Sequence, residues 1–193
     1  MTRNSLHDAH GAALAELALV LPLLLLLILG MLDFGKAFNQ WMSGTHLANE
    51  GARLAAVNYC PNPSSDGSGN LTCDWSSIGC SASDANLCLA QYIDNQSMGE
   101  LKSGRPGVSA YSPRQNAAKV CISYPNGSTT QVGDPVTVQV QVTYRWLNYV
   151  SRRLDLGSTV IRGSATMRLE SKWFNGTTPS SSPTCYPASP AGT

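Results

Sequence analysis

The chain opens with an apolar run too long for the core of a small domain, and its pattern then changes period. From Ala12 to Leu32 only Glu16 is charged, and from Leu17 to Leu32 nothing is. As a helix this stretch spans about 31 Å at ~1.5 Å per residue, enough for a hydrocarbon core of ~30 Å. Pro22 lies inside it. In water it would cost a helix about 3 kcal/mol; in a bilayer, neighbouring groups re-satisfy the freed carbonyl and a bend at Pro22 is tolerated. Beyond the run, Phe34, Phe38, Trp41, Thr45, Ala48, Ala52 and Ala55 recur at alternating steps of four and three, which marks one continuous helical face. The pattern predicts one helix from about Ala12 to about Asn58, some 70 Å at ~1.5 Å per residue, its first half in lipid and its second in protein. Gly44, Ala48 and Ala52 form a small-xxx-small ladder that lets another helix approach closely, and the same stretch can serve as a core helix of the domain. A cleavable secretory signal with a cut near Gly35-Lys36-Ala37 is the competing reading. It fits poorly, because such signals carry about 7–15 apolar residues and the helical face here runs straight through the supposed cut.

The remaining pattern alternates loops with short elements. Residues 60–83 are turn-rich, and Asp66-x-Ser68-x-Asn70 opens like a calcium loop but has Leu71 and Ser77 where glycine and glutamate are required. Leu87, Cys88, Gln91, Tyr92, Asn95 and Met98 have helical spacing, which predicts a short helix from Asp84 to about Leu101 with Ser83 or Asp84 as N-cap. From Pro135 to Trp146, Val136, Val138, Val140, Val142, Tyr144 and Trp146 alternate strictly with Thr, Gln and Arg, the period of a half-buried strand. Residues 118–124 repeat this more weakly, with a turn signal at Asn126-Gly127, and Ile161, Gly163, Ala165, Met167 and Leu169 give a third strand. One dry face and one wet face predict an antiparallel sheet covered by the second half of the long helix. Arg152 and Arg153 lie in a connecting loop that is either solvated or in contact with a partner subunit or lipid headgroups. From Gly176 onward the chain is rich in Pro, Ser and Thr and is read as a flexible tail, held where Cys185 ties it down.

Charge and composition narrow the function. Thirteen basic and twelve acidic side chains leave a formal net charge of +1 without a basic stripe, which speaks against a nucleic-acid partner. Cys60, Cys73, Cys80, Cys88, Cys121 and Cys185 all follow the apolar run, as expected for an exported, oxidised domain. Zinc is the rival reading, but it needs close pairs such as C-x₂₋₄-C, and none occurs; the fifteen disulfide pairings of six cysteines stay open. The basic groups flanking the run are nearly balanced, so the cysteines decide the orientation, amino terminus inside and domain outside. His7, His10 and His46 all precede the domain, and no metalloprotease, P-loop or nucleophile-elbow motif occurs, so neither an enzyme nor a metal or cofactor site is expected. The four N-x-[ST] sites, at Asn70, Asn95, Asn126 and Asn175, are accidents of an Asn/Ser/Thr-rich surface. Trp75, Trp146 and Trp173 would be the aromatic cluster of a binding module, and each also reads as packing.

Glu16 is the residue out of place. A carboxylate inside an apolar span costs a few kcal/mol unless it lies at the interface or has a partner. If the peptide bond after Gly11 were cut, the new α-amine of Ala12 would lie one turn from Glu16, and the two charges could compensate each other within one chain or between packed chains. The stretch Gly11-Ala12-Ala13-Leu14-Ala15-Glu16-Leu17-Ala18-Leu19-Val20-Leu21-Pro22, its leucine run and the closing Asp33-Phe34-Gly35 resemble the TadE-like minor pseudopilins of the Tad (Flp) pilus machinery. Asn49-Glu50-Gly51-Ala52-Arg53 and Met167-Arg168-Leu169-Glu170 resemble two further elements of that family. The resemblance implies cleavage after Gly11 by a prepilin peptidase, residence in the bacterial inner membrane with the domain outside, and assembly with other pilin or pseudopilin subunits and inner-membrane pilus proteins. Glu16 would set register in that assembly. The expected fold is α+β and pilin-like: a long amino-terminal helix on a small antiparallel sheet with disulfide-stapled loops. Its expected parts are a leader (1–11), a transmembrane segment (12–34), a periplasmic continuation of the helix (35–58), the disulfide-bonded domain (59–175) and the tail (176–193). The alternative is an uncleaved membrane-tethered binding or adhesin module.

Overall fold

The computed structural model describes residues 5–65, 71–76, 79–80, 84–96, 118–146, 157–171 and 181–186. The chain divides into two compact units, residues 1–38 with 145–157 and residues 39–144 with 158–193. Helix α1 (Ser5–Ala56) contributes to both. It starts at Ser5 rather than at Ala12. Residues 5–10 hold no breaker, and the lone Gly11 costs a helix only about 1 kcal/mol relative to Ala once a long helix is propagating. α1 passes through Pro22 and ends two residues before Asn58. Its end is a Schellman arrangement: Tyr59 N donates to Leu54 O (2.9 Å), Asn58 N donates to Ala55 O (3.2 Å), and Asn58 sits at φ +48°. Glu170 N donates to Ala56 O at 2.8 Å and Ser171 Oγ donates to Val57 O at 2.6 Å, so chain following β5 satisfies carbonyls at the helix end, and Asn58 donates its side-chain amide back to Ser171 O at 2.8 Å.

The second unit is a sheet covered by helix. Strands β3 (Lys119–Ser123), β4 (Pro135–Arg145), β5 (Ser158–Arg168) and β6 (Thr184–Tyr186) lie in the order β5-β4-β3-β6, and a separate two-stranded ribbon pairs β1 (Ser64–Ser65) with β2 (Leu71–Thr72). β3 is antiparallel to β4, with Val120 opposite Val140 and Ile122 opposite Val138, and antiparallel to β6, with Cys121 opposite Cys185. β5 returns along β4, with Leu169 N donating to Asp134 O at 2.9 Å and the Thr137 and Thr166 hydroxyls 2.9 Å apart on the wet face. The period-two pattern of β4 sorts as it reads: Val136, Val138, Val140, Val142 and Tyr144 are buried, and the intervening Thr and Gln residues are half-exposed. The fold is therefore α+β, with an antiparallel four-stranded sheet.

Helix α2 (Ala85–Gln96) packs against β3 and β6. Asp84 is its N-cap, accepting from Asn86 N at 2.9 Å; Ser83 and residues 97–101 lie outside the described residues. The buried side of α2 is Asn86, Cys88, Leu89, Ala90 and Ile93, whereas Leu87, Gln91 and Tyr92 of the expected stripe are half-buried. The Cys80–Cys88 bond turns Cys88 inward and carries Leu89 with it. Buried Tyr124, just after β3, donates its hydroxyl to Asn86 Oδ1 at 3.3 Å and so ties the sheet to the first turn of α2. Asn126-Gly127 does turn the chain, but through a 3₁₀ turn at Gly127–Thr129 within a longer connection and not as a two-residue hairpin.

One expectation is corrected here. In the face drawn from Phe34 to Ala55, Ala48, Ala52 and Ala55 are fully buried, but Phe34, Phe38 and Trp41 are exposed. In the second unit the buried side of α1 instead takes in Gln40, Gly44, Leu47 and Gly51. Within the second unit the sheet comes so close to α1 at Gly44 that no aromatic ring would fit between them, and Trp41 is turned outward. The tail is held where Cys185 ties it to Cys121. Its described part, residues 181–186, contains β6, and Tyr186 packs against the core. A Pro/Ser/Thr-rich composition does not reveal this, because β6 is held by a cross-link to Cys121 and not by its own apolar content.

Candidate functional site

In the first unit α1 is apolar and exposed. From Leu14 to Leu32 the large side chains, half-buried Leu29 excepted, are about half to four-fifths exposed, Leu19 reaching 79%. From Ala13 onward α1 contains a stretch long and apolar enough to cross a membrane, with mean hydropathy 2.6 and only 6% of that window buried. A surface of this size has no stable arrangement in water and is satisfied by lipid or by other apolar helices.

Glu16 lies on this surface and is exposed. Among the described residues its carboxylate makes no hydrogen bond or ion pair. It stands four residues beyond Ala12, one helical turn, and both lie within α1. The Gly11-Ala12 peptide is also part of α1, and a side chain added at Gly11 would meet nothing within 4 Å. Pro22, six residues after Glu16, leaves the Ala18 carbonyl without its usual donor.

At the carboxyl-terminal end of the run, Asp33 is buried to 3% exposure between exposed Leu32 and Phe34. In the second unit Gln40 is buried, and among the described residues its Oε1 has no hydrogen-bond partner. Sequence patterning overlooked both, since an isolated polar residue at the end of an apolar run reads as its boundary.

The ladder residues are placed against the sheet. Ala48 and Ala52 are fully buried in the core cluster with Val138 and Val140. A Cβ on Gly51 would come within 3.1 Å of Val138 Cγ1 and 3.0 Å of Ile93 Cδ1, so α1, α2 and β4 meet at that residue. Of the two roles read for this stretch, the core helix of the domain is the one seen here, with Ala48 and Ala52 against the sheet. The glycine that makes it possible is Gly163 on β5: a Cβ there would lie 2.6 Å from the Gly44 carbonyl carbon and from Thr45 N. The available signal was a glycine inside a strand, which marks a close backbone approach.

The six cysteines form three disulfides, Cys60–Cys73, Cys80–Cys88 and Cys121–Cys185. They respectively close the ribbon β1–β2, hold α2 and pin β6 to β3, and none is left as a thiolate ligand for zinc. Trp75 packs against the core and Trp146 is half-buried, so neither stands out as an aromatic platform. Trp173, Arg152, Arg153, Asn70 and Asn175 lie outside the described residues.

Residues 11–53 match the family model of the TadE-like protein family. The match begins at Gly11, contains Ala12, Glu16, Pro22, Gly44, Ala48 and Ala52, and ends on Arg53 of the Gly51-Ala52-Arg53 element. No curated protein and no solved structure matches the chain.

Proposed function

With residues 11–53 TadE-like, we propose that this chain is a minor pseudopilin of a Tad (Flp)-type pilus. It is held in the bacterial inner membrane by α1 before assembly, with its disulfide-bonded domain on the outer side, and it takes part in priming or assembly of the pilus and so supports surface adhesion. The role is structural and not catalytic. The observation that carries this reading is Glu16: an exposed carboxylate on an apolar helix, one turn past Ala12, with no partner among the described residues. An ionised carboxylate in lipid needs a compensating cation. The α-amine released by a prepilin peptidase at Ala12 supplies one, in the same chain or in the next subunit. The three disulfides support export to an oxidising compartment. They let the domain keep a fixed surface for partner subunits despite loop-rich composition.

The first test is intact-mass and amino-terminal analysis of the protein from membranes of a strain with its native peptidases. A chain beginning at Ala12 supports prepilin processing. A chain beginning at Met1 overturns it and leaves an uncleaved, membrane-tethered binding module. A chain beginning near residue 38 would make the protein a secreted domain. Glu16→Ala should insert and be cut normally while piliation falls; normal piliation by this variant would sink the register role.

A further inference from the structure

The helix of the first unit does not turn polar where a hydrocarbon core would end. Residues 13–32 already span ~30 Å, one core thickness. The next six residues show two sides. Asp33 and Ala37, one turn apart, are 3% and 7% exposed. Phe34 and Phe38, also one turn apart, are 65% and 48% exposed, and the i, i+4 spacing puts them on one side of the helix. Gly35 and Lys36 are exposed as well. A helix leaving lipid for water would show its carboxylate and hide its phenyl rings; here the carboxylate is hidden and the rings are shown.

That arrangement suits the headgroup layer of a bilayer. Apolar rings on an interfacial helix bury ~5–10 Å into the boundary between headgroups and acyl chains. A carboxylate gains nothing from an anionic surface. Residues 33–38 rise ~9 Å, close to one interfacial layer, since a bilayer of ~40–45 Å contains a core of ~30 Å. We propose that residues 34–38 are a lipid-binding collar: Phe34 and Phe38 enter the headgroup–acyl boundary, and lipid contact continues past Leu32 to Phe38. The collar rests on the reading that α1 crosses a bilayer. It adds a second partner surface, the headgroup layer, which sets the depth at which the chain leaves the membrane.

The test is spin-label accessibility of the full chain in vesicles of phosphatidylethanolamine and phosphatidylglycerol. Nitroxide labels are placed singly through Phe38→Cys, Leu24→Cys and His46→Cys, with the natural cysteines kept in their disulfides. Collisions with oxygen, which partitions into lipid, are compared with collisions with a water-soluble nickel chelate. The collar predicts an oxygen-to-nickel ratio at position 38 several-fold above that at 46 and below that at 24. A label at 38 as accessible to nickel as the one at 46, or shielded from both reagents, while 24 remains lipid-like, overturns the collar and leaves the anchor intact. Nickel access at 24 as well would defeat the anchor reading and the collar with it.

Discussion

Two glycines meet where β5 crosses α1, and the structure gives them opposite roles. Replacing Gly163 with alanine would put a methyl carbon 2.6 Å from the Gly44 carbonyl carbon and Thr45 N, and 2.8 Å from Gly44 O. Non-bonded carbon atoms are comfortable at ~3.5–4.0 Å, so strand and helix must separate by about 1 Å. The offending atoms are backbone of a helix, which cannot rotate aside as a side chain would. The separation would loosen the contacts of Ala165 and Met167, which pack on the same core. Overpacking costs ~1–3 kcal/mol. A backbone-to-backbone clash belongs at the top of that range, about 3 kcal/mol, which for a chain of this size is on the order of 10 °C in Tm. The matched control is Gly44→Ala. A Cβ there would meet only Val140 Cγ1, at an ordinary 3.8 Å, and alanine improves helix propensity by up to about 1 kcal/mol. Thermal unfolding of both variants of the full chain in detergent, followed by near-ultraviolet circular dichroism, separates the two. Gly163→Ala should fall and Gly44→Ala should hold or rise. An unchanged Tm for Gly163→Ala, or equal losses for both, would refute the account of this contact.

Three further outcomes follow from the same geometry. Asn58→Ala should cost about 1–2 kcal/mol, because alanine resists the left-handed conformation at φ +48° and cannot bond Ser171, whereas Asn58→Gly should lose less; denaturant midpoints check the order. Cys185→Ser should remove about 4 kcal/mol, the loop-closure contribution of a bond spanning 64 residues, and hydrogen exchange should find Val120 and Ile122 amides unprotected first. Burial, aided by the nearby Asp84 charge, raises the Tyr124 hydroxyl well above its ordinary value of about 10. A raised pKa in the folded state means that the unfolded chain gives up the proton first, so stability is complete below pH ~10 and falls as pH rises beyond it. Tyr124→Phe should be less sensitive to pH in that alkaline range, and a wild-type midpoint unchanged between pH 9 and about 11 would contradict the burial argument.

Much of this molecule is carried by local pattern. The apolar run, the strict alternation of β4 and the helical spacing before Cys60 specify element type, because period and length follow from backbone geometry alone. Glu16 could be singled out for the same reason: its oddity is local, one charge in an apolar helix. The Gly11-to-Arg53 stretch, in which the family match and the sequence resemblance coincide, is also contiguous in the chain. What pattern could not supply were relations between distant segments. Trp41 fits a helical period as well as Leu47 and Gly51 do, and within the second unit only the sheet, by its close approach at Gly163, decides which side of α1 must carry small residues. The pairing of six cysteines is open in sequence because any pair can close a loop; the strand register that sets Cys121 opposite Cys185 selects one partner. β6 shows the same limit, since three residues from a Pro/Ser/Thr-rich tail carry no strand signal until a neighbouring edge and a covalent bond hold them there. Tertiary structure also decided the fate of Asp33. Hydropathy marks it as the end of the span, whereas burial, which depends on what folds against the helix, leaves the exposed apolar surface continuing through Phe38.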